Sequence, residues 1–215
     1  MQETEKKIVI AIDGPAGAGK STIASRLARK FGYVNLESGA MYRALALKAI
    51  ERDIGFEDEA ALLDLAQRSK IELQPRLDGN RVLLDERDIS VRIRERDVTE
   101  AASKVSVHPM VREWMVARQR EMGEQGGVVM EGRDIGTKVF PHAEVKIFLE
   151  AEPAVRVDRR VKQREAPPEQ APTIAAELLE RDRRDSTRAA SPLEPAGDAV
   201  ILDSTHLSID DVVAR

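Results

Sequence analysis

An apolar run, a glycine-rich loop and a helical pattern follow one another without a break near the start of the chain. The run is Ile8–Ile12, and the loop after it has the spacing Gly-x-x-x-x-Gly-Lys-Ser, with Lys20 and Ser21 at its end. Glycines in such a strand–loop–helix unit turn successive backbone N–H groups toward a phosphate, and the helix start adds its positive dipole end. The lysine reaches the β- and γ-phosphates, and the serine hydroxyl ligates Mg²⁺. The segment therefore predicts a nucleoside triphosphate site at Gly14, Pro15, Ala16, Gly17, Ala18, Gly19, Lys20, Ser21 and Thr22.

Short apolar segments recur along the chain and alternate with helical patterns. Strands buried on both faces are predicted at Ile8–Ile12, Val128–Met130, Val145–Leu149 and Ala199–Leu202, with Tyr33–Asn35 as a weaker fifth candidate. Helices are predicted at Gly39–Glu51, Val98–Val107 and Val111–Arg120. This alternation predicts an α/β fold with a five-stranded parallel sheet of the P-loop NTPase type, flanked by helices and binding ligands at the carboxyl ends of its strands.

Two segments break the alternation. Ile71–Pro75 alternates in polarity, Asp78-Gly79-Asn80 has turn residues, and Arg81–Asp85 returns, which predicts a small antiparallel insertion. Residues 156–188 contain many arginines on both sides of a proline-bearing break at 166–172. We interpret this second segment as a helical hairpin whose tip is the break.

Composition excludes several classes of protein. The chain has 215 residues, no cysteine, three histidines and a net charge of -4. Disulfides and thiolate metal sites are thus impossible, and a dedicated nucleic-acid binder, which usually has a basic surface, is disfavoured. No apolar run approaches the ~20 residues that span a bilayer, and residues 1–7 lack the apolar part of a signal peptide. We expect a single-domain, cytoplasmic protein without membrane or nucleic-acid partners, working as a monomer.

The predicted strand Val128–Met130 ends in Glu131-Gly132-Arg133-Asp134. An acid in this position resembles the second nucleotide-binding motif of P-loop proteins, in which it holds Mg²⁺. A turn or N-cap carboxylate is the alternative for Glu131. Arg133 and Asp134 are expected to project into the ligand crevice.

A second anion site is indicated at Glu37–Arg43. Ser38 and Gly39 open a predicted helix, so free N–H groups and a hydroxyl face outward, and Arg43 lies about one turn further on. A plain serine N-cap with an exposed arginine is the alternative.

The arginine density of residues 156–188 has two interpretations. A solvated helix face is the usual reason for a charge run, and the interleaved Glu180, Asp182 and Asp185 fit it. Phosphoryl transfer between two nucleotides, however, collects many negative oxygens in one place, and arginines on a mobile hairpin suit it. We expect three or four of these arginines to be functional.

Taken in order, these motifs resemble the bacterial cytidylate kinases, a family of nucleoside monophosphate kinases. The likeness extends through Ile8–Thr22, Glu37–Arg43, Ala101–Ser106, Pro109–Glu113, Glu131–Thr137, Val139–Pro141, Arg181–Pro192 and Val200–Thr205. The resemblance implies transfer of a phosphoryl group from ATP, with Mg²⁺, to CMP or dCMP. It also implies a core at about 1–36, 108–152 and 189–215, a monophosphate-binding region at about 37–107 that includes the insertion, and a helical lid at about 153–188.

The same resemblance implies roles for individual residues. Cytosine would be read by Ser38, Ser103, Arg112 and Asp134, the ribose would contact Arg181 and Asp185, and Arg43, Arg133 and Arg188 would grip the monophosphate. The catalytic cations would be Lys20, Arg133, Arg159, Arg160 and Arg188. Ser21 and Glu131 would hold the metal, and Arg156 is a candidate contact to the donor nucleotide.

This sequence departs from the family at Glu37 and Glu131, where the family more often has aspartate. Two other classes of protein share parts of the pattern. A small-molecule kinase of the shikimate type has the loop and the lid, and a regulatory GTPase or nucleic-acid-coupled ATPase has the loop. The absence of an Asn-Lys-x-Asp guanine motif and the acidic net charge disfavour the last two.

Overall fold

The computed structural model describes residues 7–76, 79–163 and 166–215. Residues 1–6 and Asp78, which entered the predictions above, lie outside this description. The strands are β1 (Val9–Asp13), β2 (Val34–Glu37), β3 (Ile71–Arg76), β4 (Gly79–Leu84), β5 (Arg87–Asp88), β6 (Val128–Glu131), β7 (Val145–Glu150) and β8 (Val200–Asp203). The α-helices are α1 (Lys20–Phe31), α2 (Ser38–Glu51), α3 (Glu59–Gln67), α4 (Arg96–Val105), α5 (Pro109–Gly123), α6 (Pro153–Gln163), α7 (Ala171–Thr187) and α8 (Ile209–Ala214).

Five strands form a parallel sheet in the order β2-β6-β1-β7-β8, as the apolar segments predict. β1 and β6 are central and almost wholly buried, because helices cover both faces of the sheet. One apolar cluster joins β1 to α1 and α8, and another joins β6 to α5 and the segment at 135–139. The carboxyl ends of all five strands therefore lie along one edge.

The insertion is a separate antiparallel sheet in the order β3-β4-β5. Gly79 and Asn80, predicted as turn residues, belong to β4 instead. The side chain of Asn80 accepts from the Glu37 backbone N–H at 2.9 Å and donates to the Asn35 carbonyl at 2.8 Å. These bonds tie the insertion to the end of β2, which explains why the strand begins earlier than the turn pattern suggests.

Several boundaries differ from the prediction. The weak strand at Tyr33–Asn35 lies at Val34–Glu37, and the helix predicted at Val98–Val107 runs from Arg96 to Val105. The helical hairpin is confirmed, with α6 and α7 on the two sides of the proline-bearing break. Across the described part of the chain, no helix combines the length and the apolar character that crossing a bilayer requires.

Candidate active site

The loop between β1 and α1 surrounds the start of α1. Gly14 has φ 145°, and a Cβ there would lie 2.1 Å from the Leu149 carbonyl oxygen, so only glycine fits. Gly19, the residue before α1, has φ 98°, and no side chain caps the helix. The first N–H groups of α1 are thus left for an anion.

Lys20 lies buried at this helix start. Its Nζ donates to the Pro15 carbonyl at 2.7 Å. Burial and the nearby Arg133 guanidinium lower the pKa of Lys20 to about 7. An ammonium group in such surroundings gains a strong partner when a phosphate arrives.

Ser21 and Glu131 face each other across the loop. Ser21 Oγ donates to Glu131 Oε1 at 2.9 Å, and Ser38 Oγ donates to the Glu131 carbonyl at 2.7 Å. The described residues contain no cluster of three His, Cys, Asp or Glu side chains suited to a metal. A hydroxyl and one carboxylate nevertheless fit Mg²⁺, which takes one or two carboxylates and fills its shell with phosphate oxygens and water.

Glu37 ends β2 directly opposite Glu131 in the ladder with β6. Arg43 Nη2 lies 3.5 Å from Glu37 Oε2, and Arg94 Nη2 lies 3.7 Å from Oε1. Burial and the Glu131 carboxylate raise the pKa of Glu37, and burial lowers the pKa of Arg43. Two acids and two arginines are thereby packed together at the sheet edge.

Arg112 and Asp134 form a buried ion pair. Arg112 Nη2 donates to Asp134 Oδ2 at 2.6 Å, and Nη1 donates to the Ser106 carbonyl at 3.0 Å. The guanidinium carbon lies 5.4 Å from the centre of the Tyr42 ring, within cation–π range. Arg112 is only 2% exposed, so its orientation is fixed by these contacts.

Asp185 of α7 gathers arginines from both ends of the site. Arg133 Nε donates to Asp185 Oδ2 at 2.8 Å, and Arg188 Nη1 lies 3.6 Å from Oδ1. Burial alone would raise the pKa of Asp185, but Arg133, Arg181 and Arg188 outweigh burial and lower it. Burial and the charge of Arg133 lower the pKa of Arg181 to about 9.

One cavity of about 1070 Å³ joins these groups to the loop. Its walls hold buried nitrogens that have no hydrogen-bond partner in the described structure: Nε of Arg43, Arg112 and Arg181, and Nη2 of Arg188. The buried Tyr42 hydroxyl is in the same condition. Buried polar atoms are seldom left without hydrogen-bond partners. The unpaired N–H groups in this cavity therefore indicate that it binds a polar, anionic ligand.

Comparison of the sequence with known proteins shows the family to which the chain belongs. A family model described as "Cytidylate kinase" matches residues 10–215. The chain belongs to the cytidylate kinase family. It is 51% identical over 212 residues to a protein named cytidylate kinase from Solibacter usitatus, covering 97% of this chain and 90% of the relative. A protein of the same name from Anoxybacillus flavithermus is 49% identical over 213 residues, covering 98% and 95%.

Solved structures share the fold at much lower identity. A gluconokinase from Sinorhizobium meliloti has a TM-score of 0.50 at 15% identity, covering 97% of this chain and 89% of that one. A shikimate kinase from Bacteroides thetaiotaomicron has a TM-score of 0.50 at 12% identity, covering 97% and 96%. The fold is that of these kinases, while membership of the cytidylate kinase family makes the chain a nucleoside monophosphate kinase.

Most residues that the cytidylate kinase resemblance implicates line the one cavity. They are Ala16–Thr22 of the loop, Glu131, Arg159 and Arg160, together with Ser38, Arg43, Arg112, Arg133, Asp134, Arg181, Asp185 and Arg188. Among the described residues, Gly14, Pro15, Ser103 and Arg156 are absent from its wall. The fold thus brings together residues that are more than 150 positions apart in the sequence.

Arg156 and Ser103 have protein partners instead. Arg156 lies beneath the loop, where it donates to the carbonyls of Ala151 and Ala16 and pairs with Asp182. The Ser103 hydroxyl accepts from Arg184 Nη1 at 3.0 Å, in a smaller cavity between α4 and α7. In this structure Arg156 supports the loop before α1 from below, and Ser103 contacts α7.

The sequence patterns assign no individual role to Asp13, Asp182 or Arg184. Asp182 and Arg184 appear in the arginine-rich segment as ordinary charges, and only the fold shows what they contact. Asp13 did carry a signal, because it is an acid at the end of an apolar strand, the same pattern that identified Glu131.

Proposed function

We propose that this kinase transfers the γ-phosphoryl group of ATP to CMP and dCMP, giving ADP and CDP or dCDP. The observation that carries the proposal is the set of unpartnered arginine nitrogens in the cavity that also contains the start of α1. The donor loop supplies one phosphate site, and these arginines supply a second one opposite it. Two such sites in one cavity suit transfer between nucleotides rather than simple hydrolysis.

In the donor half, the N–H groups at the start of α1 and Lys20 hold the ATP phosphates. Ser21 and Glu131 would hold Mg²⁺, which when bound neutralises charge on the phosphate oxygens. Arg159 and Arg160 of α6 face the same cavity, where they can stabilise charge that develops during transfer.

In the acceptor half, Arg43, Arg133 and Arg188 grip the monophosphate. Its attacking oxygen is already ionised at neutral pH, so the reaction needs no general base. Catalysis then consists of alignment and cationic stabilisation, and planar guanidinium groups that bind bidentately provide both. Arg181 and Asp185 contact the ribose.

The base is read at Ser38, Arg112 and Asp134, which line the cavity. Ser103, which the resemblance also implicates, bonds Arg184 outside this cavity and can act on the base only through α7. Cytosine has an amine where uracil has a carbonyl. A carboxylate such as Asp134 accepts a hydrogen bond from the cytosine amine. With uracil, the same carboxylate would lose its water, gain no hydrogen bond and be repelled by the uracil carbonyl oxygen. The mismatch leaves buried polar groups unpaired, which is the kind of penalty that gives strong discrimination. We propose that CMP and dCMP are preferred to UMP for this reason.

We propose that the enzyme acts as a monomer on small-molecule substrates. We further propose that the enzyme works in the cytoplasm without nucleic-acid or membrane partners.

The decisive test is formation of ADP with a panel of CMP, dCMP, UMP, AMP and GMP. We expect turnover with CMP and dCMP and far slower turnover with the other three. Turnover with shikimate or gluconate and none with CMP would instead assign a small-molecule kinase. ADP formation that does not depend on any acceptor would point to an NTPase.

A further inference from the structure

Asp13 is a buried carboxylate that the proposed reaction does not use. It is the last residue of β1, is 5% exposed, and immediately precedes Gly14 of the donor loop. Its Oδ1 accepts from the Ile135 backbone N–H at 2.8 Å, and its Oδ2 accepts from the Gly136 N–H at 2.7 Å. Both carboxylate oxygens are therefore directed at one short segment of the neighbouring strand's extension.

That segment is a wide helical turn that starts at the proposed base-reading residue. The backbone N–H groups of Lys138 and Val139 donate to the Asp134 carbonyl at 2.8 Å and 3.1 Å. The first N–H groups of any helical turn lack partners within the turn. Asp13 supplies those partners from a different strand, as an N-cap would from the same one.

Local packing allows this close approach. A Cβ at position 136 would lie 3.4 Å from Asp13 Oδ2 and 3.3 Å from Lys146 Cδ, so the turn packs directly against both side chains. A second bond runs beside it, from the Gly132 N–H to the Ile12 carbonyl at 2.9 Å. The end of β1 is thus joined to both sides of Arg133 and Asp134.

We propose that Asp13 is a positioning residue for base recognition, which holds the turn after Asp134 so that the Arg112–Asp134 pair lies at a fixed place relative to the donor loop. The inference rests on the proposed reading of cytosine by Asp134. The Asp13 carboxylate thereby connects the end of β1, where the donor loop begins, to the acceptor site.

A carboxylate is required because two N–H donors need two acceptor oxygens. Asparagine has nearly the same shape but presents one acceptor and one NH₂ donor, so one backbone N–H would face another donor. The hydrogen bond that is lost lies in the turn, because neither contact of Asp13 involves the N–H groups at the start of α1. The Asp13 charge also favours the charged form of Lys20, but burial is the larger influence on the pKa of that lysine.

The test is Asp13→Asn, assayed at saturating second substrate. We expect KM for CMP to rise about tenfold, KM for ATP to stay within about twofold, and the ratio of kcat/KM for CMP to that for UMP to fall about fivefold. Asp58→Asn is the matched control, since Asp58 caps α3 through the Ala61 N–H and is exposed far from the site. Equal losses with ATP and CMP, or an unchanged CMP:UMP ratio, would overturn the inference.

A double-mutant cycle separates the inference from the proposal on which it rests. If Asp13 acts through Asp134, then Asp13→Asn added to Asp134→Ala should leave the CMP:UMP ratio where Asp134→Ala alone puts it. A further drop in the double variant would mean that Asp13 acts by another route. If Asp134→Ala alone leaves the ratio unchanged, the base-reading assignment itself is wrong, and the inference falls with it. Should Asp13→Asn not fold, Asp13→Ser removes the carboxylate without placing an NH₂ donor opposite a backbone N–H, and the same outcomes apply to it.

Discussion

At the scale of single residues, Arg133 and Arg188 are the side chains whose surroundings agree best with a phosphate clamp. Both line the cavity, and both are oriented by the same buried carboxylate, Asp185. Arg188 is fixed further by donation from Nε to the Ser191 carbonyl at 2.6 Å, while its buried Nη2 has no partner in the described structure. Arg188 is thus oriented by the hydrogen bond of one nitrogen, while another nitrogen remains available to bind a ligand.

We predict that Arg133→Ala and Arg188→Ala each lower kcat/KM for CMP about tenfold or more, because each removes a cation from the developing charge. Arg183→Ala, on α7, is the control, since Arg183 is 63% exposed and pairs with Glu180. Steady-state kinetics with CMP and circular dichroism of each variant provide the measurement. Unchanged kinetics in both variants would remove the clamp from the mechanism.

Asp13 also predicts a pH dependence of stability. Burial raises the pKa of Asp13 to about 6 from 3.8, although the two backbone N–H groups oppose the shift. The folded state therefore holds this proton more tightly than the unfolded chain, and the stability that the group contributes is lost as the pH rises from about 4 to about 6. The loss amounts to about 3 kcal/mol, since each pKa unit is worth about 1.4 kcal/mol.

Asp13→Asn has no such proton. We therefore expect the difference in unfolding free energy, variant minus wild type, to increase by about 2 to 3 kcal/mol between pH 4 and pH 7. Urea denaturation at several pH values measures it. A difference that stays constant over this range would show that Asp13 has an ordinary pKa.

At the scale of elements, the helical hairpin of α6 and α7, which we propose is the lid, is held against the donor loop by a clasp that consists of Arg156 of α6 and Asp182 of α7. Arg156 Nη1 donates to the Ala16 carbonyl at 3.0 Å, Asp182 Oδ1 accepts from the Ala16 N–H at 3.3 Å, and the two side chains pair with each other. Both ends of one loop residue are thus held by the two lid helices. A movement of α6 or α7 would therefore change the backbone conformation of the donor loop directly.

We predict that Asp182→Ala lowers the unfolding free energy by about 3 kcal/mol, because it leaves the buried guanidinium of Arg156 without its counter-charge. Asp158→Asn breaks an exposed pair with Lys162 on the same lid and should change stability by less than about 0.5 kcal/mol. Chemical denaturation of the two variants compares them. Equal effects would mean that the clasp is no stronger than a surface ion pair.

The elements that the sequence predicts best are the strands, and the errors at their carboxyl ends have one physical cause. Each of the five parallel strands runs past its last apolar residue and ends in an acid, namely Asp13, Glu37, Glu131, Glu150 and Asp203. Hydrophobic pattern locates the buried part of a strand, whereas the backbone ladder continues while hydrogen bonds can form. Predicted strands therefore stop one or two residues too early, at the positions where the functional groups begin.

Other features depend on contacts that the local sequence does not contain. The wide turn at 135–139 needs the Asp13 carboxylate, which lies more than 120 positions away. Likewise, the sequence predicts that arginines at 156–188 face phosphates, but it does not tell Arg156, which supports the loop, from Arg159 and Arg160, which line the cavity. Spacing identifies the residue types, and tertiary structure assigns each its partner.

At the scale of the whole molecule, the fold concentrates buried positive charge in the cavity where its elements meet. Burial lowers the pKa of Lys20, Arg43, Arg181 and Arg188, which come from α1, α2, α7 and the residue after α7. Burial is the largest cause of each of these four shifts, and the charge of neighbouring arginines adds to it. Stability is therefore given up at the site, and polyphosphate binding restores it.

This charge balance predicts that Lys20→Met stabilises the ligand-free protein while it abolishes function. An apolar side chain of similar length avoids the cost of a buried ammonium group, so we expect the midpoint of thermal unfolding to rise by several degrees. In the wild type, ATP or inorganic tripolyphosphate should raise the midpoint further, and in Lys20→Met most of that rise should be lost, because the cation that meets the phosphates is gone. Lys162→Met, at an exposed lysine of the lid, should leave both quantities as they are in the wild type. A variant that is less stable without ligand, yet still gains the full stabilisation from ATP, would show that Lys20 supports the fold and does not bind phosphate.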